Sequence, residues 1–206
     1  WNEYRPYVLK TTNYGANWKL ITNGLPKDTI VRVLREDLKR EGLLFLGSEL
    51  GMYFSLDGGE QWQTFQLNLP ITPIYDLTIH DDDLVVGTHG RAFWVLDDIS
   101  PLRTLTTKLA AKPVHLFSPS TTIRIRDDFS VSRTPVGQNP PPGAVIYYSL
   151  GKKPKTPVTI SIMDNAGNVV HSFSSALESS DSRETHTSID MGANYSRSSS
   201  ASTGPG

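Results

Sequence analysis

Apolar residues fall in short runs along this chain, and glycine, proline or small polar clusters close each run. Tyr7-Val8-Leu9-Lys10 and Trp18-Lys19-Leu20-Ile21 are the first candidate strands, and Asn23-Gly24-Leu25-Pro26 breaks the chain after them. Ile30-Val31-Arg32-Val33-Leu34 is β-branched and mostly apolar, which suits a buried strand. Arg35 to Glu41 can be read as a helical turn. A polar hairpin loop is the better reading, because the apolar run Leu43-Leu44-Phe45-Leu46 begins straight after Gly42. The strands Met52–Ser55, Trp62–Phe65, Ile74–Ile79, Leu84–Val86 and Ala92–Leu96 follow.

These runs repeat. Ser55-Leu56-Asp57-Gly58-Gly59-Glu60-Gln61-Trp62 has an earlier copy, Thr11-Thr12-Asn13-Tyr14-Gly15-Ala16-Asn17-Trp18, 44 residues upstream. Both read Ser/Thr-x-Asp/Asn-x-Gly-x-x-Trp. The physics is that of a hairpin turn: hydroxyl and Asx side chains bond to nearby backbone N–H groups, and Gly15 and Gly59 supply the unusual φ. Trp18 and Trp62 then fold back to cover their turns. Leu69-Pro70 repeats Leu25-Pro26 at the same offset, His80 to Asp83 stands where the charged loop stood, and Gly87-Thr88-His89-Gly90 answers Gly47-Ser48-Glu49-Leu50-Gly51. A period of 40–44 residues with four short strands per unit predicts β-propeller blades. A β-sandwich would not return turn, Leu-Pro and Gly-Ser/Thr elements together in one order. One unit is complete, over residues 28–66, with half a unit before it and three strands of another after it. Open sheet edges are a liability, so further blades are expected upstream of Trp1, one of them supplying the last outer strand.

Ser100-Pro101 suits a helix N-cap and first position, and Leu102 to Ala111 a short connecting helix. Val114–Phe117, Thr121–Ile125 and Ala144–Tyr148 read as strands, with a Pro-rich loop over Ser132–Gly143. Val158–Ile162, the turn Asp164–Asn168 and Val169–Phe173 read as a hairpin. The predicted fold class is therefore all-β. It comprises a partial β-propeller of about two blades (1–98), a linker helix (99–113), part of an Ig-like β-sandwich (114–174) and a disordered Ser-rich tail (175–206).

Composition narrows the function classes. The 206 residues carry a net charge of −1, so no basic surface points to nucleic acid. There is no cysteine, which excludes disulfides and thiolate metal sites. No apolar run reaches the ~18 residues of a membrane helix. Trp1 is not an initiator Met, so the start reads as a cut, which leaves room for an upstream signal. The expected location is secreted or periplasmic.

The turn motif resembles the Asp-box, or BNR, repeat of sialidases, sortilin-type propellers and xyloglucan-cleaving endoglucanases. Gly87-Thr88-His89-Gly90-Arg91-Ala92-Phe93-Trp94-Val95-Leu96-Asp97-Asp98 and Ser100-Pro101-Leu102-Arg103 resemble the propeller end of large bacterial BNR-repeat glycosyl hydrolase or sortilin-like proteins. Pro142-Gly143-Ala144-Val145-Ile146-Tyr147-Tyr148 resembles the opening of their next β-domain. The resemblance implies that Thr11, Asn13, Gly15, Trp18, Ser55, Asp57, Gly59 and Trp62 are structural, lying in the loop between third and fourth strands of a blade. Asn13 departs from the Asp of the pattern.

Ligand binding is then expected on the opposite face. That face carries Ser48 and Glu49, then Thr88, His89 and Arg91, beside loops at Lys27-Asp28 and Thr72-Pro73. A carboxylate, an imidazole and a guanidinium on adjoining loops suit an anionic or hydroxyl-rich ligand. The ligand-binding candidates are Glu49, His89 and Arg91. The plainer reading is that Gly87 and Gly90 shape a tight loop in which His89 and Arg91 bond to nearby backbone. Catalysis by Glu49 needs a second carboxylate about 5–10 Å away, and no catalytic set is identifiable. Asp81-Asp82-Asp83, Asp97-Asp98 and Asp127-Asp128 lack the ordered spacing of a calcium loop. His80, His115, His171 and His186 lack zinc-ligand spacing. No metal or cofactor is expected. Two functions remain: a module binding a peptide or glycan ligand, or a glycoside hydrolase fragment with most of its active site elsewhere.

Overall fold

A computed structural model describes residues 4–122 and 143–176. Most of the expected Thr121–Ile125 strand, the Pro-rich loop up to Pro142, Asp127-Asp128, His186 and the tail from residue 177 lie outside these. The protein is mostly β-strand in small antiparallel sheets with few helices, an all-β chain. Its contacts divide it into two units, one reaching Thr104 and one starting at Leu105.

The first unit holds three sheets of sequential strands. β1 (Leu9–Lys10) pairs with β2 (Lys19–Leu20). β3 (Val31–Glu36), β4 (Leu44–Ser48), β5 (Gly51–Ser55) and β6 (Gln63–Thr64) form a four-stranded meander. β7 (Ile74–His80), β8 (Asp83–Thr88) and β9 (Phe93–Leu96) form three strands of another, with no partner on the outer side of β9 among the described residues. Register shows the repeat directly. Leu9 faces Leu20 and Lys10 faces Lys19, while Tyr53 faces Thr64 and Phe54 faces Gln63, the same pairs 44 positions on.

β4 is buried along its whole length because the middle sheet is covered on both sides. Period-two alternation sends Leu44 and Leu46 into a cluster with Val8, Ile21, Leu25 and Trp62. It sends Phe45 the other way, with Val33, Met52, Phe54, Phe65, Ile74, Leu77 and Leu84. At Gly47 the next sheet comes closest: a Cβ there would lie 2.7 Å from both Ile74 Cγ2 and Val33 Cγ1.

The two turn motifs share one hydrogen-bond pattern. Ser55 Oγ donates to Asp57 Oδ1 (2.7 Å) and accepts Gly59 N–H (2.9 Å), while Asp57 Oδ1 accepts Gln61 N–H (3.0 Å). Thr11 Oγ1, Asn13 Oδ1, Gly15 N–H and Asn17 N–H do the same at 3.0, 2.9 and 2.9 Å. Asn13 can stand for Asp because only the acceptor oxygen is used. The tryptophans differ. Trp18 lies over Gly15 but remains 59% exposed. Trp62 is 1% exposed and reaches the preceding hairpin, its Nε1–H donating to Ile21 O and its backbone N–H to Asn23 O, each at 2.8 Å. Lys10 Nζ to Gly58 O (3.0 Å) and Lys19 to Glu60 (2.7 Å) complete this seam.

Charge reinforces the apolar second seam. Arg35 pairs with Asp76 (2.7 Å) and Lys39 with Asp82 (2.6 Å). Arg103 grips the buried Asp37 carboxylate with two bonds of 2.9 and 2.8 Å and also binds Asp82. The bonds from Lys39, then Arg103, hold the Asp82 carboxyl below its ordinary range, and Asp37 above all raises the Arg103 guanidinium.

The helix expected over Leu102–Ala111 is instead two short ones, α1 (Ser100–Thr104) and α2 (Thr107–Ala110). Thr104 bonds back to Pro101 O (3.1 Å), and Thr106 Oγ1 accepts Leu109 N–H (3.2 Å), so the hydroxyls compete with a continuous helix. Asp98, not Ser100, supplies the first cap, its Oδ1 accepting Ser100 N–H at 3.0 Å. In the second unit β10 (Val114–Leu116) pairs with β11 (Tyr148–Leu150), so strand begins at Tyr148 and not at Ala144. β12 (Thr159–Met163) and β13 (Val169–Ser174) form a hairpin. Its turn is tied by Asp164 Oδ1, which accepts Ala166 and Asn168 N–H at 2.9 and 2.8 Å.

Replacing Trp62 by Ala should cost about 3–5 kcal/mol, the range for deleting a buried Trp. Trp18→Ala should stay within about 1 kcal/mol, as suits a largely exposed residue. Urea denaturation of both variants gives the comparison, and equal losses would contradict the assigned difference.

Candidate functional site

The sheets carry one irregularity twice, in the same place. Val31 faces Ser48 and Val33 faces Gly47, so Arg32 is an extra residue in β3. Ile74 faces Thr88 and Asp76 faces Gly87, so Tyr75 is the extra residue in β7. A bulge bends the strand and re-aims a side chain. The register therefore matches Val31, not Ile30, with Ile74, one position away from the alignment of apolar runs.

Each bulge residue meets the first residue of the turn that follows the neighbouring strand. Glu49 N–H donates to Ile30 O (3.0 Å) and His89 N–H to Pro73 O (2.9 Å), so Glu49 and His89 hold equivalent positions. The Arg32 guanidinium pairs with the Glu49 carboxylate. The Tyr75 ring lies 4.9 Å from the His89 ring, centroid to centroid, at 35°. Arg32 also lies over the Tyr75 ring, 5.3 Å from its centroid. Glu49, Arg32, Tyr75 and His89 thus form one continuous row across two sheets.

The loop with His89 is longer than its counterpart. Gly47 faces Met52 with four residues between them, and Gly87 faces Phe93 with five. Thr88 Oγ1 donates to Ala92 O (2.5 Å) and accepts Arg91 N–H (3.1 Å), while Trp94 Nε1–H donates to Arg91 O (2.8 Å). Buried Thr72 donates to His89 O (3.1 Å). Ala92 is held at φ 62°, a region costly for a residue with a Cβ. The backbones of His89 and Arg91 are fixed and their side chains are exposed. Arg91 stands on the same loop as His89, and its guanidinium has no ion pair among the described residues.

The row extends toward the chain start. Arg5 lies 44 residues before Glu49, the offset that relates β1–β2 to β5–β6. Arg5 Nε–H donates to Tyr7 Oη (2.7 Å), and its guanidinium lies 4.9 Å from that ring's centroid. Tyr4, Arg5, Tyr7, Ile30 and Val31 line a cavity of about 260 Å³. Tyr4, Tyr7 and Tyr75 are 67%, 47% and 49% exposed.

A meander alternates its turns between the two ends of the sheet. The β4–β5 turn with Glu49 and the β5–β6 turn with Asp57 therefore lie at opposite ends. Asp57 is spent on its own turn. Among the described residues no group of three or more His, Asp or Glu side chains could hold a metal. Asp82 is engaged by Lys39 and Arg103, and Asp83 Oδ1 accepts Asp98 N–H at 3.0 Å. Partial desolvation, then the Asp83 charge, raises the Asp97 carboxyl.

The sequence pattern singles out Glu49, His89 and Arg91; the structure sets Arg32 against Glu49 and Tyr75 against His89, neighbours that the pattern does not name. Bulges leave no composition signal. Arg5 was accessible, by extending the 44-residue offset back from Glu49. Comparison with protein-family models, curated proteins and solved structures finds no match for this chain.

Ala92→Gly should relieve the left-handed backbone and raise stability by about 0.5–1 kcal/mol. A thermal unfolding midpoint at or below that of the parent would show that the loop carries no such strain.

Proposed function

We propose that this chain is a ligand-binding module of the Asp-box β-propeller kind, recognising a hydroxyl-rich glycan across the row Arg5, Arg32, Glu49, Tyr75, His89 and Arg91. The observation that carries this reading is the repeated pairing of bulge residue with loop residue, Arg32 with Glu49 and Tyr75 with His89, joined by the Arg32–Tyr75 contact. Aromatic faces stack on sugar rings, and planar charged groups bond to adjacent hydroxyls. Meander sheets returning with one register support the blade reading, and the open edge of β9 suits a strand supplied from elsewhere. The second unit is then the beginning of an accessory Ig-like sandwich. A secreted or periplasmic setting accords with such a module.

Binding is favoured over glycoside hydrolysis because the Glu49 carboxylate is engaged by Arg32. A glycosidase acid must be free to protonate the leaving oxygen and needs a carboxylate partner.

Glycan and peptide arrays probed with the whole chain test this. Glycan hits are expected, weakened roughly tenfold or more by Arg32→Ala or Tyr75→Ala and by Arg91→Ala, the scale of a buried-contact anchor. Hits confined to peptides would replace the glycan with a peptide ligand. Full binding by folded Arg32→Ala and Tyr75→Ala would refute the assigned face. Sugar release that disappears in Glu49→Gln would favour the hydrolase reading.

A further inference from the structure

Asn23-Gly24 carries chemistry that neither the fold nor the ligand face uses. A backbone nitrogen attacks the preceding Asn side chain most readily when glycine follows, because no Cβ obstructs the approach. Gly24 N attacks Asn23 Cγ, a new C–N bond closes a succinimide, and the Cγ–Nδ2 bond breaks to release ammonia. Water then opens either carbonyl of the ring. The product is aspartate or isoaspartate, so one water enters and one ammonia leaves.

In the folded chain the groups that must move are held at the first seam. Asn23 Nδ2 donates to Gln61 Oε1 (2.6 Å) and Glu60 O (3.3 Å). Asn23 O accepts Trp62 N–H at 2.8 Å. Gly24, at φ 93°, lies so close under Trp62 that an added Cβ would collide with the Trp62 carbonyl oxygen. Docking of the first hairpin and access to the reaction therefore exclude each other.

We propose that Asn23 is a spontaneous deamidation site guarded by the docked seam, and that its conversion makes undocking permanent. The product replaces an NH₂ donor with a carboxylate facing two acceptor oxygens, beside the Glu60 carboxylate that Lys19 binds. Facing acceptors without a proton between them destabilise the seam. Isoaspartate also adds a methylene to the backbone at the residue whose carbonyl receives Trp62 N–H.

The test incubates the whole chain at mildly alkaline pH in native buffer and in concentrated urea. Peptide mass spectrometry and an isoaspartate-specific methyltransferase assay then follow Asn23. Conversion is expected in urea, slower by roughly tenfold or more in native buffer, since it must wait for local opening. Gln61→Ala should be faster than the parent in native buffer. Asn23→Asp should lose hydrogen-exchange protection at the Trp62 indole; if it does not fold, partly converted parent chain separated by charge gives the same reading. Equal rates in native buffer and urea, no conversion of Asn23 in urea, or unchanged Trp62 protection in the converted chain would overturn the proposal.

Discussion

The seating of Trp62 against the preceding hairpin is the contact on which the order of the first unit depends. A two-stranded sheet such as β1–β2 is not stable in water by itself. It gains its apolar cover from Leu44, Leu46 and Trp62 of the next repeat. The indole also satisfies Ile21 O, so burial and hydrogen bonding act at one point. The turn motif from Ser55 to Trp62 is what delivers the indole. Ser55 and Asp57 hold the backbone N–H groups of Gly59 and Gln61, so that Trp62 leaves the turn aimed at its neighbour. In repeat architectures each unit contacts chiefly the next, and stability is a sum of unit and seam terms. Here both seams have an apolar core, and the second is also laced with ion pairs, including the buried Asp37–Arg103 pair.

On the proposed reading, this arrangement separates stability from recognition. Turns that clasp a repeat to its predecessor lie at one end of the meander, and turns that carry Glu49 and His89 lie at the other. The bulges at Arg32 and Tyr75 stand close to the second set of turns and send exposed planar side chains toward them. Because one register recurs, whatever stands at the bulge and at the first turn residue lines up in a row. A row of this kind needs no separate scaffold; it is a by-product of repetition, with its chemistry set by substitution.

Much of the first unit was legible in the sequence because period-two apolar runs and turn chemistry are local. The run Leu43 to Leu46 read as a strand, and its lack of alternation reflects cover on both faces. The two copies of the turn read as one device, and their side-chain bonds to the backbone coincide atom for atom apart from the amide of Asn13. What local pattern could not carry was the register. β3 and β7 each carry one extra residue, Arg32 and Tyr75, and Val31, not Ile30, stands in line with Ile74. The fate of the two tryptophans was equally hidden, since Trp18 and Trp62 have the same local context and differ only in what covers them. The helix after Ser100 is shorter than its apolar pattern suggests because Thr104 and Thr106 compete for the backbone.

The central claim is that the Asp57 end of the repeat is a clasp while the Glu49 end meets the ligand. Asp57→Ala tests it most directly, measured for both unfolding free energy and binding to the glycan panel. The account predicts a loss of about 1–2 kcal/mol, as for a capping side chain whose backbone partners go unsatisfied, with unchanged affinity in the folded fraction. Lost binding at unchanged stability would contradict it.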